Sequence, residues 1–458
     1  MSSYQTINPT SNELIKTWPA HSADQVEQAL STADELYHSN WSKGPIQPRL
    51  QVLTKLAELI EGRVEDLAKA ASVEMGKLIG QSRSEVQLCA QIARYYAENA
   101  ERFLAPVRYP SDLGEAWVEN HPIGVLVAVE PWNFPFYQLM RVLAPNLAAG
   151  NPVLLKHASN VPHCAALFEQ LVSEAGAPEG VWTNLFISSD QVAELIADDR
   201  VQGAALTGSE RAGSAVAEQA GKYLKKTTLE LGGNDVFVVL DDCDLDKAIK
   251  AGVGARLNNC GQVCTAAKRF IVQEKVADAF FEKFIQAFRE VKIGDPLDES
   301  TTLGPLSSSS ARDTLVKQVN EAVSKGAKLH VGGKAVDGKG CFFEPTILSG
   351  ITRDNPAWFE EFFGPVAQVY VVKDDEEVVK LANDSHYGLG GAVFTRDIER
   401  GKKLASQIET GMVYINSATD TSAELPFGGV KRSGFGRELS DLGIKEFVNQ
   451  KLVVVSAN

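Results

Sequence analysis

Three residues in this sequence have the surroundings that acyl chemistry needs. Cys264 lies in NNCGQVCTAAKR (258–269), after a glycine-containing turn and before small residues. A turn exposes a thiol that a strand or helix interior hides, and the thiolate is the reactive species. Glu230 ends the strand-like part of TLELGG (228–233). A carboxylate desolvated there has its pKa raised and can act as a general base near neutral pH. Asn133 sits in EPWNFPF (130–136), where prolines and aromatic rings make a rigid loop. Its amide N–H can face a developing oxyanion.

Two more motifs suit a dinucleotide. Lys156 closes VLLK, and a lysine at the carboxyl end of a parallel strand can contact a ribose or a phosphate. LTGS (206–209) is a strand-to-helix turn of the kind that receives pyrophosphate at a helix N-terminus. The run from Gly208 to Gly213 has P-loop glycine spacing without the lysine, so kinase or ATPase chemistry is not supported. Taken singly, each motif also has a plainer reading. Cys264 fits a small buried hydrophobe. Glu230 fits a solvated strand-end carboxylate, and EPWNFPF an ordinary turn packed by aromatics.

The elements that must position these residues read as follows. The first hundred residues are predicted helical, with apolar positions at helix spacing from Arg49 to Ala71 and a further helix from Ser82 to Phe103. From Ile123 onward, short β-rich runs alternate with helical stretches, as in a parallel sheet with helices on both faces. A second α/β set starts near Asp235, after glycines interrupt a strand, and LVVVS near the end reads as a terminal strand.

Composition removes several classes of function. The formal net charge of −14 argues against broad nucleic-acid binding or docking on anionic membranes. No signal-peptide pattern opens the sequence, so a cytoplasmic location is expected. Six scattered cysteines without a CxxC pair, and seven histidines without a cluster, predict neither a disulfide framework nor a metal site.

In order and spacing, PWNFP, LTGS, ELGG, GQVC, EEFFGP and PFGGVKRSGFGRE resemble the aldehyde dehydrogenase superfamily over nearly the whole chain. The short N-terminus and KHASN are most similar to its bacterial succinate-semialdehyde dehydrogenases. The resemblance implies an α/β fold with two Rossmann-like lobes and a small β oligomerisation element. Residues 1–111 and 123–231 would form the cofactor lobe and 232–430 the catalytic lobe. Residues 112–122 and 431–458 would form the oligomerisation element and tail of a homodimer or homotetramer.

It also implies roles. Cys264 is the expected nucleophile, Glu230 the base that activates water on the thioester, and Asn133 the oxyanion donor together with the Cys264 N–H. Lys156 is expected at the adenosine ribose and Thr207, Gly208 and Ser209 at the pyrophosphate. Trp132 and Leu231 are expected on the same wall, with Glu361 and Phe363 at the nicotinamide ribose. Many NAD-preferring relatives carry a glutamate where this sequence has Ser159. A neutral serine tolerates a 2′-phosphate, so NADP is expected to be accepted beside or ahead of NAD. Arg141, two helical turns after Asn133, and Ser422, just before PFGG, are expected to bind a substrate carboxylate. Cys260, four residues before Cys264, would allow a regulatory disulfide only if the two sulfurs converge. A cysteine hydrolase or acyltransferase without nicotinamide is the main rival. A CoA-acylating enzyme is disfavoured by Glu230, and a non-catalytic protein by the presence of both nucleophile and base.

Overall fold

The computed structural model describes residues 4–456. Its first sheet has the order Gly434–Phe435, Lys226–Glu230, Val201–Thr207, Val125–Glu130, Val153–His157, Trp182–Asn184. The last five of these run parallel and Gly434–Phe435 antiparallel to its neighbour. Parallel register brings the carboxyl ends together, with Glu130 opposite His157 and Thr207 opposite Glu230. These ends face the loops that carry most of the candidate residues, the usual ligand-binding edge of an open α/β sheet.

The second sheet has the order Lys328–Val331, Thr346–Ser349, Val366–Val372, Arg269–Gln273, Val236–Val239, Gly391–Phe394, Tyr414–Ile415. Only its first pair is antiparallel. A third, antiparallel sheet joins Val448–Ser456, Gly114–Pro122 and Val107–Tyr109. Among the described residues no helix is long and apolar enough to cross a membrane.

The α/β alternation matches the expectation, and the second set carries helix Leu245–Leu257 after its strand Val236–Val239. The all-helical reading of the first hundred residues needs correction. Tyr4–Asn8 and Glu13–Trp18 form a hairpin, rich in β-branched and aromatic side chains and tied by Trp18 Nε1 donating to Thr6 Oγ1 at 3.0 Å. The single helical pattern over 49–71 is two helices, Gln47–Glu61 and Val64–Met75. Gly62 caps the first, and Arg63 leaves helical geometry at φ −128°, ψ 24°. The apolar spacing runs across this break because both helices face one core.

Helix Tyr137–Ala149 decides the site. Every one of its residues is buried, so it lies inside the molecule rather than on its surface. An arginine on such a helix needs partners within the protein.

Candidate active site

Helix Leu245–Leu257 runs into a tight turn, Asn258–Gly261, in which Asn259, Cys260 and Gly261 have φ of 50°, 56° and 75°. Consecutive left-handed residues persist only where their surroundings fix them. Here the Asn259 side chain donates to the Asn133 carbonyl at 2.8 Å, Gln262 Nε2 donates to the Asn259 carbonyl at 3.0 Å, and Arg256 donates to the Gly261 carbonyl at 2.6 Å. A side chain at Gly261 would overlap the Gly364 backbone of EEFFGP. The turn thus couples GQVC to two other motifs and delivers Cys264 to a cavity of about 450 Å³.

Cys264 opens on this cavity, but buried protein surrounds the rest of it. Burial pushes its thiol up to about 12, against the pull of Lys268 and Arg141. The resting thiol is therefore protonated. Lys268 is buried beneath it, donating to the Val263 carbonyl at 2.9 Å and the Cys264 carbonyl at 2.5 Å and pairing with Glu361 at 3.0 Å. Cys260 is buried, and both thiols are free.

Asn133 is buried against the same turn. Its Nδ2 donates to the Gln262 carbonyl at 3.1 Å, and its Oδ1 accepts from Gln138 at 3.4 Å. The following helix lines the cavity with Tyr137, Gln138 and Arg141. Cys264 and Arg141 therefore share one cavity, and Asn133 braces its edge.

Glu230 ends its strand beside that cavity without lining it. Neither of its carboxylate oxygens has a hydrogen-bond partner among the described residues, and the same holds for Glu130. Burial raises both carboxyls well above the usual range, and the negative charge of Glu438 adds to this, while Arg141 opposes it. A Cβ on Gly428 would stand 2.7 Å from Glu230 Oε1, so a glycine there leaves room beside the carboxylate. Arg141 is ion-paired through Nε to Glu438 and donates to Thr207 Oγ1 at 2.8 Å and the Tyr137 hydroxyl at 3.2 Å. The structure does not place Ser422 on the cavity wall. Thr419, Asp420 and Thr421 line it instead, and the Ser422 hydroxyl faces Glu424.

Most of the residues expected at a dinucleotide lie along the first sheet, and Glu361 and Phe363 come from the loop before Val366–Val372 of the second. Lys156 is mostly buried near the Tyr4 ring, and burial lowers its pKa. Ser159 sits in the next loop, its carbonyl accepting from the Gln5 N–H at 3.1 Å. Ser209 caps helix Glu210–Lys222 and is exposed, and the Gly208 N–H donates to the Glu230 carbonyl at 2.9 Å. Leu231 packs on Gly213, where a Cβ would come within 2.6 Å of it. Trp132 and Phe363 meet edge to face at 5.8 Å between centroids. Glu361 accepts from the Gly233 N–H at 3.1 Å, and a Cβ on Gly232 would overlap its carboxylate. A lysine and an exposed helix start as donors, with an anchored carboxylate as acceptor, form a set that fits a dinucleotide.

Sequence reasoning missed several residues of the site. Gln81, Ser84, Glu85, Leu88 and Gln91 form one wall of the cavity from helix Ile79–Leu104. Their spacing of three and four was a visible signal. Glu438, Lys268 and Phe427 lay inside motifs quoted above, but their roles depend on partners distant in the chain.

With this geometry in place, comparison with known proteins gives a consistent result. The Aldehyde dehydrogenase family model matches residues 1–453. A succinate-semialdehyde dehydrogenase [NADP(+)] of Deinococcus radiodurans is 48% identical over 450 residues, covering 98% of this chain and 94% of that protein. A succinate semialdehyde dehydrogenase [NAD(P)+] of Escherichia coli is 42% identical, covering 98% and 97%. A crystal structure of succinic semialdehyde dehydrogenase from Streptococcus pyogenes, in complex with NADP+, superposes with a TM-score of 0.98 at 48% identity, covering 99% of this chain and 100% of that one. A cysteine presented by a strained turn into a cavity, a buried unpaired glutamate and a dinucleotide-type sheet edge thus accompany full-length similarity, and the chain belongs to the aldehyde dehydrogenase family.

Proposed function

We propose that this protein oxidises succinate semialdehyde to succinate with NADP, through a thioester on Cys264. The observation that carries the substrate is Arg141 in the Cys264 cavity. Its guanidinium has more N–H donors than Glu438, Thr207 and Tyr137 occupy. The spare donors suit a carboxylate at the far end of a short aldehyde. Ser422, as a second contact, would have to turn from Glu424; Thr421 already lines the wall.

Each side chain has a defined task in this reading. The Cys264 thiol gives its proton to solvent as its sulfur attacks the carbonyl carbon, and Asn133 Nδ2 with the Cys264 N–H holds the resulting oxyanion, which collapses to the thioester as hydride leaves. NADP, when bound by Lys156, Thr207, Gly208, Ser209, Trp132, Leu231, Glu361 and Phe363, supplies the hydride acceptor. Glu230 takes a proton from the water that hydrolyses the thioester.

Replacing Arg141 with lysine keeps a cation beside Glu438 but removes the planar fork. A lost hydrogen bond to a charged group costs about 1.5–3 kcal/mol. We expect KM for succinate semialdehyde to rise by roughly ten- to a hundredfold, with KM for butanal moving less than threefold, in assays of NADPH formation at 340 nm. Equal changes for the two aldehydes would remove Arg141 from substrate recognition. Loss of aldehyde in the wild type without NADPH formation would favour the nicotinamide-independent hydrolase.

The preference for NADP rests on Ser159 and on the cofactors of the similar proteins, NADP(+) for those of Deinococcus radiodurans and Streptococcus pyogenes and NAD(P)+ for that of Escherichia coli. Ser159→Glu would bring a carboxylate toward the 2′-phosphate. It should lower kcat/KM for NADP by at least about tenfold while leaving NAD within a few-fold. An unchanged ratio would show that Ser159 does not set the choice.

The division into a cofactor lobe (1–111 and 123–231), a catalytic lobe (232–430) and an oligomerisation element belongs to the same proposal. Among the described residues Val448–Ser456 has one edge without a partner strand, and Leu452, Val454, Val455, Val107 and Tyr109 are exposed on its sheet. This supports pairing between copies in a dimer or tetramer. A reactive, unpaired Cys264 suits a reducing compartment such as the cytoplasm.

A further inference from the structure

We propose that Glu85, held by Lys77, is a positioning residue of the active site: its carboxylate fixes the short segment between the oxyanion donor Asn133 and the substrate-facing Arg141. The inference deepens the function proposed above and rests on that reading for the roles of Asn133 and Arg141.

Glu85 belongs to helix Ile79–Leu104, is 3% exposed and lines the Cys264 cavity. Its Oε1 accepts from two successive backbone N–H groups, Phe136 at 2.8 Å and Tyr137 at 3.1 Å. Its Oε2 pairs with Lys77, and neither side chain has any solvent exposure. The Lys77 ammonium in turn lies 3.6 Å from the centroid of the Phe134 ring. Phe134, Phe136 and Tyr137 are the residues that lead from Asn133 into helix Tyr137–Ala149.

That helix has no cap from its own sequence, because Phe136 at the cap position offers no acceptor. A serine or aspartate at the cap position would accept from N–H groups further into the helix, at Gln138 or Leu139, and would not tie the helix to anything else. A cap supplied by a different helix does more. It fixes the start of Tyr137–Ala149, and so the register of Asn133 and Arg141, relative to the opposite cavity wall of Gln81, Ser84 and Leu88. The negative charge also suits a helix N-terminus. A buried ion pair is a poor way to gain stability alone. Lys77 lets a charged acceptor stand in the wall without adding net charge where an anionic substrate must enter.

The test separates the acceptor from the charges. Lys77→Met/Glu85→Gln and Lys77→Met/Glu85→Leu both remove the ion pair, and only the first keeps an oxygen for the Phe136 and Tyr137 N–H groups. With any aldehyde that the wild type oxidises, we expect the glutamine variant to hold kcat within about fivefold of wild type. The leucine variant should lose a further tenfold or more, since misplacement by about 1 Å can cost that much. KM for NADP and the rate of Cys264 alkylation by iodoacetamide should agree within about twofold between the two variants. Equal kcat in both, or alkylation falling in step with kcat, would overturn the proposal, the second by revealing general collapse of the site. Single variants Glu85→Gln and Lys77→Met, each leaving a lone buried charge, should be less stable to heat than the double variant that retains the oxygen. Wild-type activity on succinate semialdehyde is read separately, so failure of the substrate assignment does not alter this comparison.

Discussion

Cys264→Ser is expected to lower aldehyde oxidation by roughly four orders of magnitude or more, the scale seen when a catalytic nucleophile is removed. The serine oxygen would occupy nearly the same point in the cavity. Burial already pushes the Cys264 thiol up to about 12, and a hydroxyl is a far weaker acid in the same dry surroundings. Lys268 offers no rescue, because its ammonium is spent on two backbone carbonyls and Glu361. The fold should survive, since the strained turn over 259–261 is held by Asn259, Gln262 and Arg256 rather than by the sulfur. The decisive measurements are NADPH formation at 340 nm, NADP binding by fluorescence and intact mass after exposure to aldehyde. Lost turnover with retained binding and no acyl adduct is the expected combination. Turnover within tenfold of wild type would end the thioester mechanism.

The sequence carried local chemistry better than distant pairing. The bounds of Leu245–Leu257 follow from its apolar spacing and from Asp244 as its cap. The row of strand ends at Glu130, His157, Thr207 and Glu230 follows from repeated β–α units, because parallel strands must finish at one edge. The hairpin over 4–18 was less legible. Its strands are five and six residues long, and the segments that follow them are strongly helical. The break at Gly62 was masked because apolar spacing continues through it. Of the candidate site, Cys264 and Arg141 could be singled out in the sequence and line one cavity, whereas the partners that surround them could not be read there. Glu85 and Tyr137 are 52 positions apart, and Glu438 closes on Arg141 from the far end of the chain. No periodicity reports such a pair. Ser422 illustrates the converse limit: proximity in sequence to PFGG placed it near the cavity, while the local turn gives the wall to Thr421.

Glu230→Gln should separate acylation from hydrolysis. Glutamine keeps the size and the neutral form of the side chain but cannot accept a proton from water. General-base catalysis contributes about 10²–10⁴-fold, so steady-state turnover should fall by that range. A burst of NADPH close to one equivalent per active site should remain, because the steps up to the thioester use Cys264 and Asn133. The wild-type pH dependence follows from the same carboxyl. Burial raises its pKa well above the ordinary glutamate value, with the charge of Glu438 acting in the same direction. The active base is the carboxylate, so turnover limited by hydrolysis should climb as pH rises through the folded-state pKa, and Glu230→Gln should lose this limb. Stability must run the other way. The folded protein binds this proton more tightly than the unfolded chain, so the contribution of Glu230 is full below about pH 4, the unfolded value, and diminishes as pH rises toward the folded one. A glutamine escapes that penalty, and the variant should melt no lower than wild type at pH 8 while turning over far more slowly. A variant with an unchanged pH profile and undiminished steady-state rate would assign the base to another residue. One with no burst would place Glu230 before the thioester rather than after it.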